Sequence, residues 1–269
     1  MTRGIVLFAH NNDKDDYYKM AVAVAKRVSR FLGLPTSVIT DSETLKSTTA
    51  TEHQVFDKTI LIEPDKTNAI NKKKWYNKGR YQVYSLTPYD DTIVLDTDYL
   101  INSTRLLEVF EQPGDFQCIK RANFFFDLAG YSEDISEHSF QTYWATVIRF
   151  KKTERVALIF DTLRRVQNNY EYYAELFQFF SHTYRNDYAL TFALKIVNGG
   201  LESPADFING RLIHVTSTFV ATRVDDTTYD ILAQVANKTQ HKRYHKIRVT
   251  DFDFHMLNKQ NYLELVGNE

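Results

Sequence analysis

Ile93-Val94-Leu95-Asp96-Thr97-Asp98 is the stretch on which the reading of this chain turns. A continuous aliphatic run is the pattern of a strand buried on both faces of a parallel sheet. The turn Thr87-Pro88-Tyr89-Asp90-Asp91 precedes it, and the run ends in two carboxylates. Open α/β sheets bind ligands beyond the carboxyl ends of their strands. Residues i and i+2 of extended chain point to the same side. Two neighbouring carboxylates repel one another unless a positive charge sits between them. A hard divalent cation that also bridges to phosphates is the natural solution. The stretch therefore predicts a metal–diphosphate site at Asp96 and Asp98. A solvated pair of loop carboxylates is the competing reading, and Asp251-Phe252-Asp253 is a second triplet of the same form.

Working outward, Gly4 to Ala9 is another short apolar run. Tyr17, Ala21, Val24, Val28 and Phe31 follow at helical spacing and are stopped by Gly33 and Pro35. Thr36 to Thr40 reads as a strand ending at Asp41, and Thr59 to Ile62 as another. Strand, helix, strand predicts a right-handed βαβ start. After the central strand, Asn102 or Ser103 is placed to cap a helix through Phe110. Phe116 to Ile119 and Tyr143 to Phe150 read as strands, and Thr153 opens a helix. Helical spacing continues from Tyr172 to Tyr184, and another helix runs from Tyr188 to Asn198-Gly199-Gly200. Arg211 to Val215 and Ile247 to Val249 are short strands in a less regular last third. The expectation is one α/β domain over residues 1–269, Rossmann-like, with a mostly parallel sheet flanked by helices. Residues 1–105 form its nucleotide-binding half and 106–269 its acceptor half.

The 269 residues are 43% hydrophobic and 25% charged, ordinary values for a globular domain. The formal net charge of −1 excludes a whole-molecule field for polyanions. Cys118 is the single cysteine, which excludes an internal disulfide and fits a reducing cytoplasm. No stretch approaches the ~18 apolar residues of a membrane span. Aromatic residues reach 14%, which suits packed helices and stacking surfaces alike. Lys72-Lys73-Lys74-Trp75-Tyr76-Asn77-Lys78 and His241-Lys242-Arg243-Tyr244-His245-Lys246 set basic charge beside rings, the local pattern of polynucleotide contact.

The run Tyr84 to Asp98 resembles the central signature of GT-A-fold glycosyltransferases, in which a helix, a Pro-Tyr-Asp turn and an apolar strand lead to a DxD motif. The Gly4 to Asn11 strand, its helix and the strand ending in Thr40-Asp41 resemble the nucleotide-binding half of that fold. The likeness covers residues 1 to about 105 well and the remainder loosely. It implies transfer of a sugar from a nucleoside-diphosphate donor, a UDP-sugar by family habit, with Mn²⁺ or Mg²⁺. It places Ala9, His10 and Asn11 against the nucleobase or ribose, with Asp41 nearby. Lys78 or Arg80 faces the diphosphate, Asp96 and Thr97 contact the donor, and Asp96 and Asp98 hold the metal. These enzymes often complete the metal shell with a histidine followed by a diphosphate-binding lysine. His255 and Lys259 offer that pair, with Gln260-Asn261 standing where the family has Pro-Trp. His214 is the rival ligand. Asp187 is the acidic residue expected to face the acceptor, as proton acceptor or as orienting group, and a helix N-cap is its other reading.

Some compact phage-encoded members of that fold glycosylate hydroxylated DNA bases. A DNA acceptor bound through Lys72, Lys73, Lys74, Trp75, Lys242, Arg243 and Tyr244, with the host cytoplasm as the place of action, is therefore one expectation. Two further classes stand beside it. One is a nucleic-acid-binding module without chemistry, which leaves the strand-borne carboxylates unexplained. The other is a metal-dependent nucleotidyltransferase or phosphohydrolase.

Overall fold

The computed structural model describes residues 1–62, 69–70, 73–74, 79–125, 141–179, 181, 183–236 and 242–267. Strand β1 (Arg3–Phe8) is buried except at its first residue. Glycine is required at position 4, because the Tyr89 ring lies 2.4 Å from where a Cβ would sit. Helix α1 (Tyr17–Arg27) starts where Asp16 accepts from the Lys19 amide. It widens into a π-turn over Val28–Leu32 and is ended by Gly33 in the left-handed region, φ 63°. Strand β2 (Thr36–Thr40) is wholly buried. Two short helices follow it, α2 (Ser42–Lys46) and α3 (Ala50–His53), the second held by a Thr49/Glu52 capping box. Next come β3 (Lys58–Leu61) and a two-residue ladder of β4 (Ala69–Ile70) with β5 (Lys73–Lys74). A 3₁₀ turn over Arg80–Gln82 then leads into α4 (Val83–Leu86).

The deciding stretch is β6 (Asp91–Leu95), with all five residues buried. The short strand β7 (Tyr99–Leu100) and α5 (Arg105–Glu111) follow it. The middle of the chain supplies β8 (Phe116–Ile119), β9 (Ala122–Phe124), β10 (Trp144–Lys151), α6 (Glu154–Asn168), α7 (Tyr170–Leu176) and α8 (Asn186–Val197). The last third gives β11 (Leu212–Val215), β12 (Val220–Arg223), β13 (Thr228–Ala236), β14 (Lys242–Thr250), β15 (Phe254–Met256) and α9 (Lys259–Val266).

The main sheet has the order β3-β2-β1-β6-β10-β8. Its first four strands are mutually parallel; β10 runs antiparallel beside β6, and β8, antiparallel to β10, returns to the direction of the first four. This is the expected α/β class with a largely parallel sheet. Alternation sends Ile5, Leu7, Ile93 and Leu95 to the core that includes α1 and α9. Val6, Phe8 and Val94 enter the core built with α6 and α8.

A second sheet, β7-β15-β11-β9, decides the site. Strand β7 follows Asp98 directly and pairs antiparallel with β15, setting Tyr99 opposite His255. Strand β11 pairs parallel with β15, setting His214 opposite His255. Strands β12, β13 and β14 form a third, antiparallel sheet.

Several local expectations are corrected. The helical spacing read through Tyr184 breaks after Leu176, where Gln178 takes a positive φ of 54°. Helix α5 has Thr104 at its cap without a side-chain bond, while Ser103 Oγ accepts from the Arg105 amide. Asn102 is engaged elsewhere, donating to the Phe252 carbonyl and accepting from Arg27. The strand expected over Ile247–Val249 lies in the second half of the nine-residue β14.

Candidate functional site

At the end of β6 the Asp96 amide donates to the Thr146 carbonyl (3.0 Å), which ties the DxD turn to β10. The Tyr99 amide closes the turn onto the Asp96 carbonyl (3.1 Å). The Asp98 carbonyl accepts from the Met256 amide (2.9 Å), so β15 is locked beside it. Three side chains converge as a result. His255 Nε2 stands 3.0 Å from Asp98 Oδ1 and 3.9 Å from Asp96 Oδ2. One ligand atom from each of Asp96, Asp98 and His255 lies within 4.8 Å of the others. Lys259, at the start of α9, holds its ammonium 3.7 Å from Asp98 Oδ2. The Arg80 guanidinium donates to Asp96 Oδ1.

Two carboxylates and an imidazole form an oxygen–nitrogen donor set that suits Mn²⁺ and leaves coordination positions for phosphate oxygens. Electrostatics favour the ionised forms. Burial works to raise the Asp98 pKa, but the charge and hydrogen bond of His255, with Lys259, bring it down to about 2. Burial works to lower the pKa of His255, but Asp98 and Asp96 outweigh it and raise it. Arg80 and Lys259 are likewise held protonated against burial, by Asp96 and by Asp98 respectively.

His214, the rival ligand, sits behind His255 with the two Nδ1 atoms 2.9 Å apart. It is buried and does not line the cleft, and burial lowers its pKa to about 3, helped by the charge of His255. Of the two imidazoles, His255 is the one that lines the cleft and stands beside both carboxylates.

The cleft has a volume of about 480 Å³ and runs to both sides of this cluster. At one end lie His10, Asn12 and Tyr17. His10 Nδ1 is 3.1 Å from Asp41 Oδ2, and Asp41 Oδ1 accepts from the Thr44 amide (2.7 Å). Burial lowers the His10 pKa, so the ring is neutral at neutral pH. The acceptor-only carboxylate then places the ring proton on Nδ1. Burial works to raise the Asp41 pKa, and the hydrogen bonds from Thr44 and His10 bring it down overall.

Ala9 is fully buried, its amide bonded to Ile39 and its carbonyl to Thr40. The Asn11 side chain is spent on fixing the start of α1, through Asp16 and the Tyr18 amide. Among cleft-lining residues it is Asn12 that stands beside His10. Thr97 lines the cleft while buried.

At the other end stands Asp187, in the first turn of α8, whose cap is Arg185. Its Oδ1 accepts from the Ala145 amide (2.8 Å) and its Oδ2 from Arg185 (2.9 Å). Tyr184 donates from its hydroxyl to Asn186 Oδ1 (2.9 Å) or Gln167 Oε1 (3.0 Å). The sequence read Tyr17 only as part of the first helix's face, and Tyr184, Arg185 and Asn186 only as the run leading into Asp187. Only their place beside Asp187 and at the start of α1 hinted at them. Lys72, Trp75 and Lys78 lie outside the described residues. Lys73 and Lys74 are described only as strand backbone, as are Lys242, Arg243 and Tyr244 at the start of β14.

No protein-family model matches the chain, and no curated protein matches it in sequence. Among solved structures it is similar to the galactosyltransferase LgtC in complex with donor and acceptor sugar analogues. That pair shares 15% identity, with 71% of this chain and 70% of that one covered and a TM-score of 0.46. Mouse xyloside xylosyltransferase 1 gives 12% identity, 77% and 84% coverage and a TM-score of 0.48. The PaToxG glycosyltransferase gives 16%, 76% and 72%, and 0.43. No helix of the described residues is long and apolar enough to cross a membrane.

Proposed function

We propose that the protein is a metal-dependent glycosyltransferase that moves a sugar from a nucleoside-diphosphate donor to an acceptor hydroxyl. One observation carries this reading: Asp96, Asp98 and His255 converge at the carboxyl end of the parallel strands, flanked by Arg80 and Lys259. Three carboxylates (Asp96, Asp98, Asp187) and three fixed cations (Arg80, Arg185, Lys259) line the cleft. A walled site of balanced charge suits a ligand that is itself balanced, such as a divalent cation on a sugar-diphosphate ester.

Strand order gives the ligand its direction. Asp41, His10 and Asp96 follow β2, β1 and β6, and Ala145 lies near the start of the antiparallel β10, so the four stand in order across the same edge of the sheet. Three steps of about 4.8 Å span roughly 14 Å, enough to lay a nucleotide-sugar along the strand ends. His10 and Tyr17 offer rings and an open imidazole nitrogen to a base. Asp187, Arg185 and Asn186 offer polar groups to the sugar and to the hydroxyl that attacks it.

Asp96, Asp98 and His255 would hold the cation, which when bound neutralises charge building on the departing diphosphate. Arg80 and Lys259 face the same oxygens and act in the same direction. Asp187 is fixed by Ala145 and Arg185 so that its remaining lone pairs are available to a donor or acceptor hydroxyl. Positioning that hydroxyl supplies much of the acceleration.

The acceptor is read only as a hydroxyl compound. On β14 the exposed Lys246 and Arg248 are already paired with Asp230, which weakens the case for polynucleotide contact there. Calorimetric titration of UDP and GDP, with and without Mn²⁺, tests the donor site. Metal-dependent binding of one nucleotide, abolished by Asp98→Asn, is expected. Binding of neither in the presence of Mn²⁺ overturns the reading.

A further inference from the structure

Among the described residues, His214 is the histidine placed against the candidate metal ligands without lining the cleft. Its ring is packed between Trp144, with centroids 4.7 Å apart, and Phe124, at 5.7 Å. Its Nδ1 lies 2.9 Å from the Nδ1 of His255. Its Nε2 is buried with no hydrogen-bond partner among the described residues.

A hydrogen bond between two ring nitrogens needs one proton and one lone pair. The orientation of His255 decides which ring supplies which. Its Nε2 is the atom directed at Asp98 and Asp96, so a cation held there takes that lone pair and leaves the ring proton on Nδ1. His214 Nδ1 must then accept, and the His214 proton must sit on Nε2. That N–H is the buried group left without a partner. Orphaned buried donors are rare because they cost stability, and an apolar side chain of similar shape would remove that cost. The chain nevertheless keeps a histidine here.

We propose that His214 is a positioning residue for the metal centre. By accepting the Nδ1–H of His255 it fixes the tautomer and ring angle that present His255 Nε2 to a divalent cation. Outer partners of this kind make ligating imidazoles more basic and better aimed. The proposal rests on the metal-site reading above and adds to it a residue that touches neither metal nor substrate.

Two measurements test it, with the metal ion alone as the probe. The first is Mn²⁺ titration of the full chain, followed by the electron paramagnetic resonance of the free ion, for wild type, His214→Phe and His214→Gln. His214→Phe is expected to weaken Mn²⁺ binding by about 10- to 100-fold, while the metal-free melting temperature holds or rises. His214→Gln, which retains an oxygen acceptor, is expected to recover part of the affinity. A purely structural role for His214 would instead lower the melting temperature of both variants and leave the affinity unchanged. Unaltered affinity in a folded His214→Phe protein overturns the proposal. Failure of the wild type to bind Mn²⁺ overturns the metal reading itself.

The second measurement needs no variant. Nitrogen chemical shifts of the imidazoles in the wild-type protein, with the site filled by diamagnetic Zn²⁺ in place of Mn²⁺, are expected to show His214 with Nε2 protonated and Nδ1 bare at neutral pH. A proton on His214 Nδ1 overturns the proposal even if His214→Phe fails to fold.

Discussion

The two ends of strand β6 carry the same residue type and do opposite things with it. At the amino end Asp91 is fully buried and makes a two-pronged pair with Arg149, at 2.7 and 2.8 Å. Arg149 directs its remaining N–H groups to the carbonyls of Phe110, Gln112 and Gly114 and to Gln117 Oε1. Donors and acceptors are saturated within the chain, so no capacity is left for a ligand. At the carboxyl end Asp96, Asp98 and His255 meet beside a cleft of about 480 Å³, with cations near but not closing the set. A buried carboxylate is thus structural or functional according to whether the fold completes its partners, and four residues of one strand separate the two cases.

The largest effect that could break this contrast is at the closed end. Asp91→Asn leaves the Arg149 guanidinium buried with its charge uncompensated, and breaking such a pair costs about 3–5 kcal/mol. Denaturant unfolding should show that loss, and any folded fraction should still bind Mn²⁺. Asp98→Asn should do the reverse. It abolishes Mn²⁺ binding and changes stability far less, because His255 can release its proton when its partner is removed. Similar stability losses in the two variants would mean that the ends of β6 do not differ in kind.

The closed end and the open end were not equally legible from sequence. The apolar run, its preceding turn and the Asp96-Thr97-Asp98 triplet are contiguous, and local pattern reads contiguous features well. Asp91 sits at the start of the same run, yet nothing local announces Arg149, 58 residues on. His255 was reachable through its spacing to Lys259, whereas the contact between His214 and His255 was not. It arises from strands of two to four residues, β7, β15 and β11, which are too short to show a periodicity. Helix α9 was missed although its cap signal was present, since Asn258 accepts from the Asn261 amide. Its polar first turn hid the apolar face behind it.

A third carboxylate sharpens the comparison at intermediate size. Asp41, after β2, is buried and holds Thr44 and His10, and His10 passes the opening on: its Nε2 makes no hydrogen bond among the described residues. A neutral imidazole with its proton on Nδ1 offers only an acceptor there. Under the donor reading it would favour a base presenting an N–H, such as the uracil imide, over cytosine, whose ring nitrogen is itself an acceptor. UDP is expected to bind about tenfold more tightly than CDP in the presence of Mn²⁺, a difference of ~1.4 kcal/mol. His10→Ala should bring the two together. A preference that survives the substitution would remove His10 from base recognition.

The smallest effect concerns pH and separates the open end from the closed one by titration. The Asp98 pKa is depressed to about 2, so its stabilising contribution is present above the unfolded value of about 3.9 and fades as pH falls towards 2. The pKa of His255 is raised, so its contribution is complete below about 6.5 and fades as pH climbs through the raised value. Between roughly pH 4 and 6.5 both are at full strength. The melting temperature of metal-free wild type should therefore exceed that of Asp98→Asn most within that window, by about 2–4 °C for each kcal/mol involved. The gap should narrow on either side. Added Mn²⁺ reverses the alkaline half of the trend, because the cation replaces a proton on His255 Nε2 and binds better as that proton becomes easier to remove. A gap between wild type and Asp98→Asn that stays constant from pH 3 to 8 would show that the pairing of Asp98 with His255 does not govern the stability of the open end.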